Sequence, residues 1–164
     1  MQGSVEDVLA AAEPWPHVRP VRIEDLPWLA EASWDASPHR APVATWDAQV
    51  EQQQAIFRSE AGELMPVASP VAITDDDFIA GAVVTVLRPT DDGLPDCPFV
   101  LDCVTLPDHR RQGVASGLLA SAARAAKAVG ETHLAIGVDA DNADALAFLD
   151  TLGFEETMRG PAPS

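Results

Sequence analysis

Two apolar periods alternate along this chain. From Ile79 to Leu87 (IAGAVVTVL) nearly every position is apolar, which predicts a strand covered on both faces and central in a sheet. The wider run VAITDDDFIAGAVVTVL, 71–87, reads as strand, turn, strand, with the turn at Asp75 to Asp77. FVLDCVTL (99–106) is a further strand with one charge, Asp102, inside it; HVRPVRI (17–23) and HLAIGVDA (133–140) are two more. Elsewhere the period is helical. Leu26, Leu29, Ala30 and Ser33 share a face up to about Trp34, with Asp25 as N-cap and Pro27 in the first turn. Thr45 caps a helix in which Trp46, Val50 and Phe57 fall at helical spacing. A long helix runs from Gly113 to about Val129 and stops at Gly130. Asn142 caps ADALAFLDTL (143–152), which ends at Gly153. In the first 16 residues SVEDVLAAA can form a turn or two of helix, ended by Pro14 and Pro16. Residues 1–16 are read as a leader, 17–159 as a single domain, and 160–164 as a loose tail. With a short last strand within 155–159, the order is β-α-α-β-β-β-α-β-α-β. That is a mixed α/β domain with a mostly antiparallel sheet flanked by helices.

Composition changes the picture mainly through charge. The chain has 164 residues, 10 Lys+Arg against 26 Asp+Glu, and a formal net charge of -16. A hydrophobic content of 47% argues for a folded core despite that charge. Nucleic acid and anionic membranes are disfavoured partners, because both need basic surface; a small cationic amine is attracted. No segment reaches the roughly 20 apolar residues of a membrane span, and the opening residues lack the basic region of a signal peptide. Two cysteines, Cys97 and Cys103, are too few for a disulfide framework. A cytoplasmic protein without a metal site is the expectation.

Against this acidic background, DHRRQGVASGLL (108–119) places Arg110 and Arg111 side by side before a glycine and a helix. Four of the ten basic residues, Arg110, Arg111, Arg124 and Lys127, fall on this turn and its helix. The first amides of a helix lack internal partners and can take a phosphate directly. Gly113 allows close backbone approach, Ala115 stays small, and Ser116 could donate a hydroxyl. The spacing is neither a Walker A loop nor a dinucleotide fingerprint. Arg110, Gly113 and Ala115 match R/Q-x-x-G-x-G/A, and Pro107 precedes them. Downstream, Asn142, Ala145, Gly153 and Phe154 match N-x-x-A-x-x-x-Y-x-x-x-GF. By these motifs the chain resembles the GNAT N-acetyltransferase superfamily over roughly residues 17 to 159. The resemblance implies a GNAT-like fold, acetyl-CoA as cosubstrate, and direct attack of an acceptor amine in a ternary complex. It implies a V-shaped gap between the strands at 99–106 and 133–140, with the backbone of Cys103, Val104 and Thr105 pairing with the pantetheine. It also implies pyrophosphate on the amides of Arg111, Gln112, Gly113, Val114, Ala115 and Ser116, and Asn142 beside the pantetheine arm.

Two departures stand out. The tyrosine that the family uses to protonate the leaving thiolate aligns with Leu149, and the chain has no tyrosine. A frequent glutamate base aligns with Gly137. Catalysis by positioning, catalysis by substitute residues, or acyl-CoA binding without turnover all remain open. Asp102 is the substitute base to test first; it also reads as a solvent-facing or arginine-paired structural acid. Asn142 reads equally as an N-cap, and Leu149 with Phe154 as the hydrophobic pair of a Schellman cap with Gly153 at C′. Asp139 and Asp141 read as strand-end and turn residues, His133 as a strand-edge residue, and His109 as a loop residue. Asp35, His39 and Trp46 are acceptor-site candidates, although Trp28, Trp34 and Trp46 read first as core. The family closes with two further strands after the last helix, and 155–159 can supply only one short strand. A second copy of the chain, or the leader folding back, could cover that edge.

Overall fold

Burial follows the apolar run at the centre of the sheet. In the computed structural model, which describes residues 1–36, 45–90, 93–106, 113–138 and 142–156, strand β4 (Ile79–Val86) is buried from Ala80 to Val86. Around it lie β1 (Gln2–Ser4), β2 (Val18–Pro20), β3 (Pro70–Ile73), β5 (Phe99–Thr105) and β6 (His133–Ile136). They form one sheet in the order β1-β6-β5-β4-β3-β2, antiparallel throughout except for the parallel β5–β6 pair. The helices are α1 (Val5–Ala11), α2 (Leu26–Ala36), α3 (Trp46–Phe57), α4 (Val114–Ala128) and α5 (Ala143–Thr151). Alternation along β4 splits the core. Val83 packs with Leu118, Leu119 and Leu134 under α4, and Val84 packs with Leu29 and Ile56 under α2 and α3.

The leader boundary needs correction. Residues 1–16 do not stand apart: β1 pairs with β6 from Gln2↔Ala135 to Ser4↔His133. Ser4 caps α1 by accepting from the Asp7 N–H at 3.2 Å, and Val5 and Val8 are buried against α4. The Trp15 N–H donates to the Gly117 carbonyl at 3.1 Å. A Cβ at Gly117 would lie 3.1 Å from the Trp15 ring, so the glycine gives the tryptophan its seat. The physical reason is the exposed outer edge of β6, which β1 covers. The last strand shrinks to one bridge, Gln2↔Glu155, closed by reciprocal N–H to carbonyl bonds of 2.8 and 2.9 Å.

Other expectations shift more locally. Asp25 lies in a 3-10 turn (Ile23–Asp25) and pairs with Arg19 at 2.7 and 2.8 Å instead of simply capping α2. Thr45 caps α3 as expected, accepting from the Ala48 N–H at 3.1 Å. The buried face of α3 matches the expected one only in part: Phe57 packs against the core and Val50 is half-buried, but other positions are the fully buried ones. It buries Gln49, Gln53 and Ile56, while Trp46 is 44% exposed and Trp34 on α2 is 40% exposed. These two indoles meet edge-on, with centroids 5.9 Å apart. They are surface aromatics rather than core.

Candidate functional site

The cradle expected at the start of α4 is set by two glycines. On β4, a Cβ at Gly81 would fall 2.7 Å from the Val104 carbonyl and 3.1 Å from Val114. Only glycine there lets the first turn of α4 sit this close to the sheet. Gly113, the N-cap, has φ +80°, the left-handed region that favours glycine. Among the described residues, a Cβ added to it would meet only the Ser116 Oγ, at 3.8 Å. Gly113 offers no capping side chain, and the first turn of α4 holds no acidic residue to repel an anion. The Val114, Ala115 and Ser116 amides are the ones a helix cannot satisfy internally. Val114 itself is buried, and Ala115 and Ser116 are half-buried. One expectation changes: the Ser116 hydroxyl donates back to the Gly113 carbonyl at 3.1 Å. Arg110, Arg111, Gln112, His39, His109, Asp139, Asp141 and the side chain of Asp35 lie outside the described residues.

The second part of the site is where β5 and β6 part. Their pairing covers Phe99↔Ala135 and Val100↔Ile136, while β5 runs on to Thr105. The parting coincides with a β-bulge. On β4 Val84 faces Asp102 and Thr85 faces Val100, so Leu101 is the extra residue. The bulge also re-aims side chains. Val100 packs under α4, whereas Asp102, two residues on, faces α2 and α3. In a regular strand the two would share a face. Beyond the bulge, Val104 is buried under α2 and α3, Cys103 packs against the α4 side, and Thr105 is half-buried.

Asp102 is therefore not a solvent-facing acid. It is 3% exposed, and its Oδ2 accepts from the Ser33 hydroxyl at 2.8 Å and from the Gln53 amide at 2.9 Å. Ser33 comes from α2 and Gln53 from α3, so two helices close on one carboxylate. Sequence periodicity put Ser33 on the inner face of α2 but missed both glutamines; the polar residues at the buried spacing 49, 53 were the available signal.

At the far end of the gap, α5 serves structure first. Asn142 caps it by accepting from the Ala145 N–H at 3.1 Å. Gly153 has φ +88°, and the Phe154 N–H reaches the Leu149 carbonyl at 3.1 Å, as a Schellman cap requires. Leu149 is 2% exposed, within the α4-side core. A Cβ at Gly137 would point at the Phe99 ring, 3.5 Å away. At the other end, Trp28, Thr74, Asp76, Asp77, Phe78, Ile79 and Leu106 line a cleft of about 540 Å³.

Comparison with known proteins gives the family and the fold. The family model described as "Acetyltransferase (GNAT) family" matches residues 22–154. No curated protein sequence matches the chain. Among solved structures, the fold is similar to aminoglycoside N-acetyltransferase AAC(6')-Iy in complex with CoA, at 22% identity over 90% of this chain and 92% of that one, TM-score 0.66. It is similar to aminoglycoside 6'-N-acetyltransferase AAC(6')-IG from Acinetobacter haemolyticus, at 21% identity, 90% and 97% coverage and TM-score 0.66. It is also similar to a putative acetyl transferase from Pyrococcus furiosus, at 19% identity, 90% and 100% coverage and TM-score 0.64. With the family model matching residues 22–154, which hold β3 to β6 and α2 to α5, the chain belongs to the GNAT acetyltransferase family.

Proposed function

We propose that this protein is an N-acetyltransferase that takes the acetyl group of acetyl-CoA to a small, cationic primary amine by direct attack in a ternary complex. The observation that carries this reading is the first turn of α4 at Gly113, which has no side-chain cap among the described residues and follows the strand that parts from β6. The Val114–Ser116 amides, with Gly113, would hold the diphosphate, and the β5 backbone at Cys103 to Thr105 would lie along the pantetheine. When bound, the cosubstrate supplies a thioester-activated acetyl group. The chain's own contribution is to hold the two reactants together, a gain of several kcal/mol in barrier (~7 kcal/mol for well-aligned reactants). Asp102 accepts the proton that the amine must shed. The net charge of -16, and the carboxylates of Asp76 and Asp77 on the cleft beside Leu106, favour a cationic acceptor. A similar structure, AAC(6')-Iy, was solved with the bisubstrate analogue CoA-S-monomethyl-acetylneamine, which supports an amine acceptor.

The test mixes the protein with acetyl-CoA, a thiol reagent and a panel of mono- and polyamines. Amine-dependent thiol release is expected; thiol release that ignores the amine contradicts the reading. A second reading, an acyl-CoA-binding domain without turnover, draws on Leu149 and Gly137, which put a core leucine and a bare backbone where the family resemblance expects tyrosine and glutamate. A rise in melting temperature with CoA, and no thiol release with any amine, would favour it.

A further inference from the structure

We propose that the cleft between α2 and the β3–β4 turn is a binding site for an organic cation, an ammonium group carried on an aliphatic or aromatic body. The inference goes beyond the general attraction of a cationic acceptor, because it gives the cleft a ligand of its own whether or not an acetyl group is transferred. Four observations carry it. First, the space is there: about 540 Å³, within the range of small-molecule sites. Second, its walls are apolar and aromatic. Trp28, Ile79 and Leu106 line it, and Phe78 on its rim is 69% exposed, more than any other large apolar side chain among the described residues. A ring left in water beside a cleft offers apolar surface and a π-face, and a π-face attracts ammonium. Third, the charge is one-sided. Asp76 and Asp77 line the same cleft, no basic side chain among the described residues does, and no ion pair among the described residues engages either carboxylate. Fourth, the turn that carries these groups is held in place. The Thr74 N–H donates to the Phe78 carbonyl at 2.8 Å, the Phe78 N–H to Thr74 Oγ1 at 3.1 Å, and the Asp77 N–H to the Thr74 carbonyl at 3.0 Å. Other ligands fit less well. Coenzyme A is polyanionic, and the cleft lies on the α2 and α3 side of the sheet, where Trp28 and Ile79 pack, opposite α4. A divalent metal ion wants several converging oxygens, and no cluster of three His, Cys, Asp or Glu side chains among the described residues is placed to hold one.

The experiment is titration calorimetry on the full chain, without cosubstrate and at low salt. The separate probes are 4-phenylbutylammonium chloride, its neutral analogue 4-phenylbutan-1-ol, and magnesium chloride. Phenylbutylammonium should bind about tenfold more tightly than the alcohol, and the difference should shrink as salt rises. A double variant, Asp76→Asn with Asp77→Asn, should erase that preference and leave amine and alcohol alike. Asparagine has nearly the shape of aspartate and tolerates the φ of +64° at Asp77, so this variant should keep the parent's Tm. Phe78→Ser should weaken amine and alcohol together, since it removes a wall that both would touch. Equal affinities of the parent for amine and alcohol would overturn the proposal. So would a double variant that still prefers the amine, or a Phe78→Ser variant with the parent's affinity for both. Magnesium that displaces the amine at equal concentration would also overturn it, as the mark of a diffuse acidic surface. A parent that releases no thiol with any amine would sink the acetyltransferase reading and leave the cation result standing.

Discussion

Adding one methyl group at Gly81 should damage the site without touching it. The new Cβ would stand 2.7 Å from the Val104 carbonyl, 3.1 Å from Val114 Cγ1 and 3.2 Å from Leu118 Cδ1. The first distance is shorter than real Cβ contacts allow, and the obstructing atom is backbone in the middle of a paired strand, so it cannot swing aside. Val114 and Leu118, on the inner face of α4, must move out instead. Overpacking of this kind costs about 1–3 kcal/mol. Replacing a strand glycine with alanine returns about 0.5–1 kcal/mol of backbone entropy. The steric cost wins, leaving Gly81→Ala destabilised by about 1–2 kcal/mol, or about 2–8 °C in Tm for a domain of this size. Because Val114 follows Gly113 directly, the same shift tilts the amides of the cradle, and CoA binding should weaken alongside stability. Differential scanning calorimetry and titration calorimetry with CoA read the two effects. A variant with the parent's Tm and the parent's affinity would show that β4 does not set the position of α4.

Further outcomes are expected elsewhere. Gly113→Ala and Gly130→Ala place alanine at φ +80° and +89° at opposite ends of α4, and among the described residues neither new Cβ would meet an atom closer than 3.8 Å. Each should cost about 1–2 kcal/mol in urea unfolding, yet only the Gly113 variant should lose CoA affinity; equal affinities would refute the cradle. Restoring the family's tyrosine by Leu149→Tyr overfills a site that is 2% exposed, so Tm should fall by the equivalent of about 1–3 kcal/mol with no gain in kcat; a faster enzyme would contradict this. For Asp25, burial pushes the carboxyl up, but the Arg19 hydrogen bonds and the Arg22 N–H outweigh it and hold it below its ordinary 3.8. The stability it contributes is complete above about 3.8 and is lost as pH falls through the lower folded value. Stability of the parent should therefore drop more steeply below about pH 4 than that of Asp25→Asn, and parallel acid-titration curves would refute the pairing.

Local chemistry was legible in the chain, and distant pairing was not. Thr45, Asn142 and Gly153 do what their types predict, since a cap involves only three or four neighbours. The central strand announced itself by being apolar at nearly every position. By contrast, β1 is only Gln2–Ser4, too short for alternation to register, and its meaning depends on β6 far downstream. The bulge at Leu101 leaves no trace in composition, yet it decides which face Asp102 meets. Period alone assigned Trp46 inward. Trp46 lies on nearly the same face as Gln53 but is the first residue of α3, and there the indole stays at the surface while Gln53 reaches Asp102. Gly113 and Ala115 were legible as small residues at the start of a helix, where backbone amides can be approached; the glycine beneath that turn, Gly81, sits on another strand and gave no warning.

The strand at the sheet's margin has a consequence for biogenesis. Gln2 must wait for Ala135. At about 5–20 residues per second on the ribosome, that delay is on the order of ten seconds. During it Val5 and Val8 have no α4 to bury them, so the nascent chain carries an exposed apolar stretch along α1. A chaperone that binds exposed apolar segments would find a client in α1 before α4 is made.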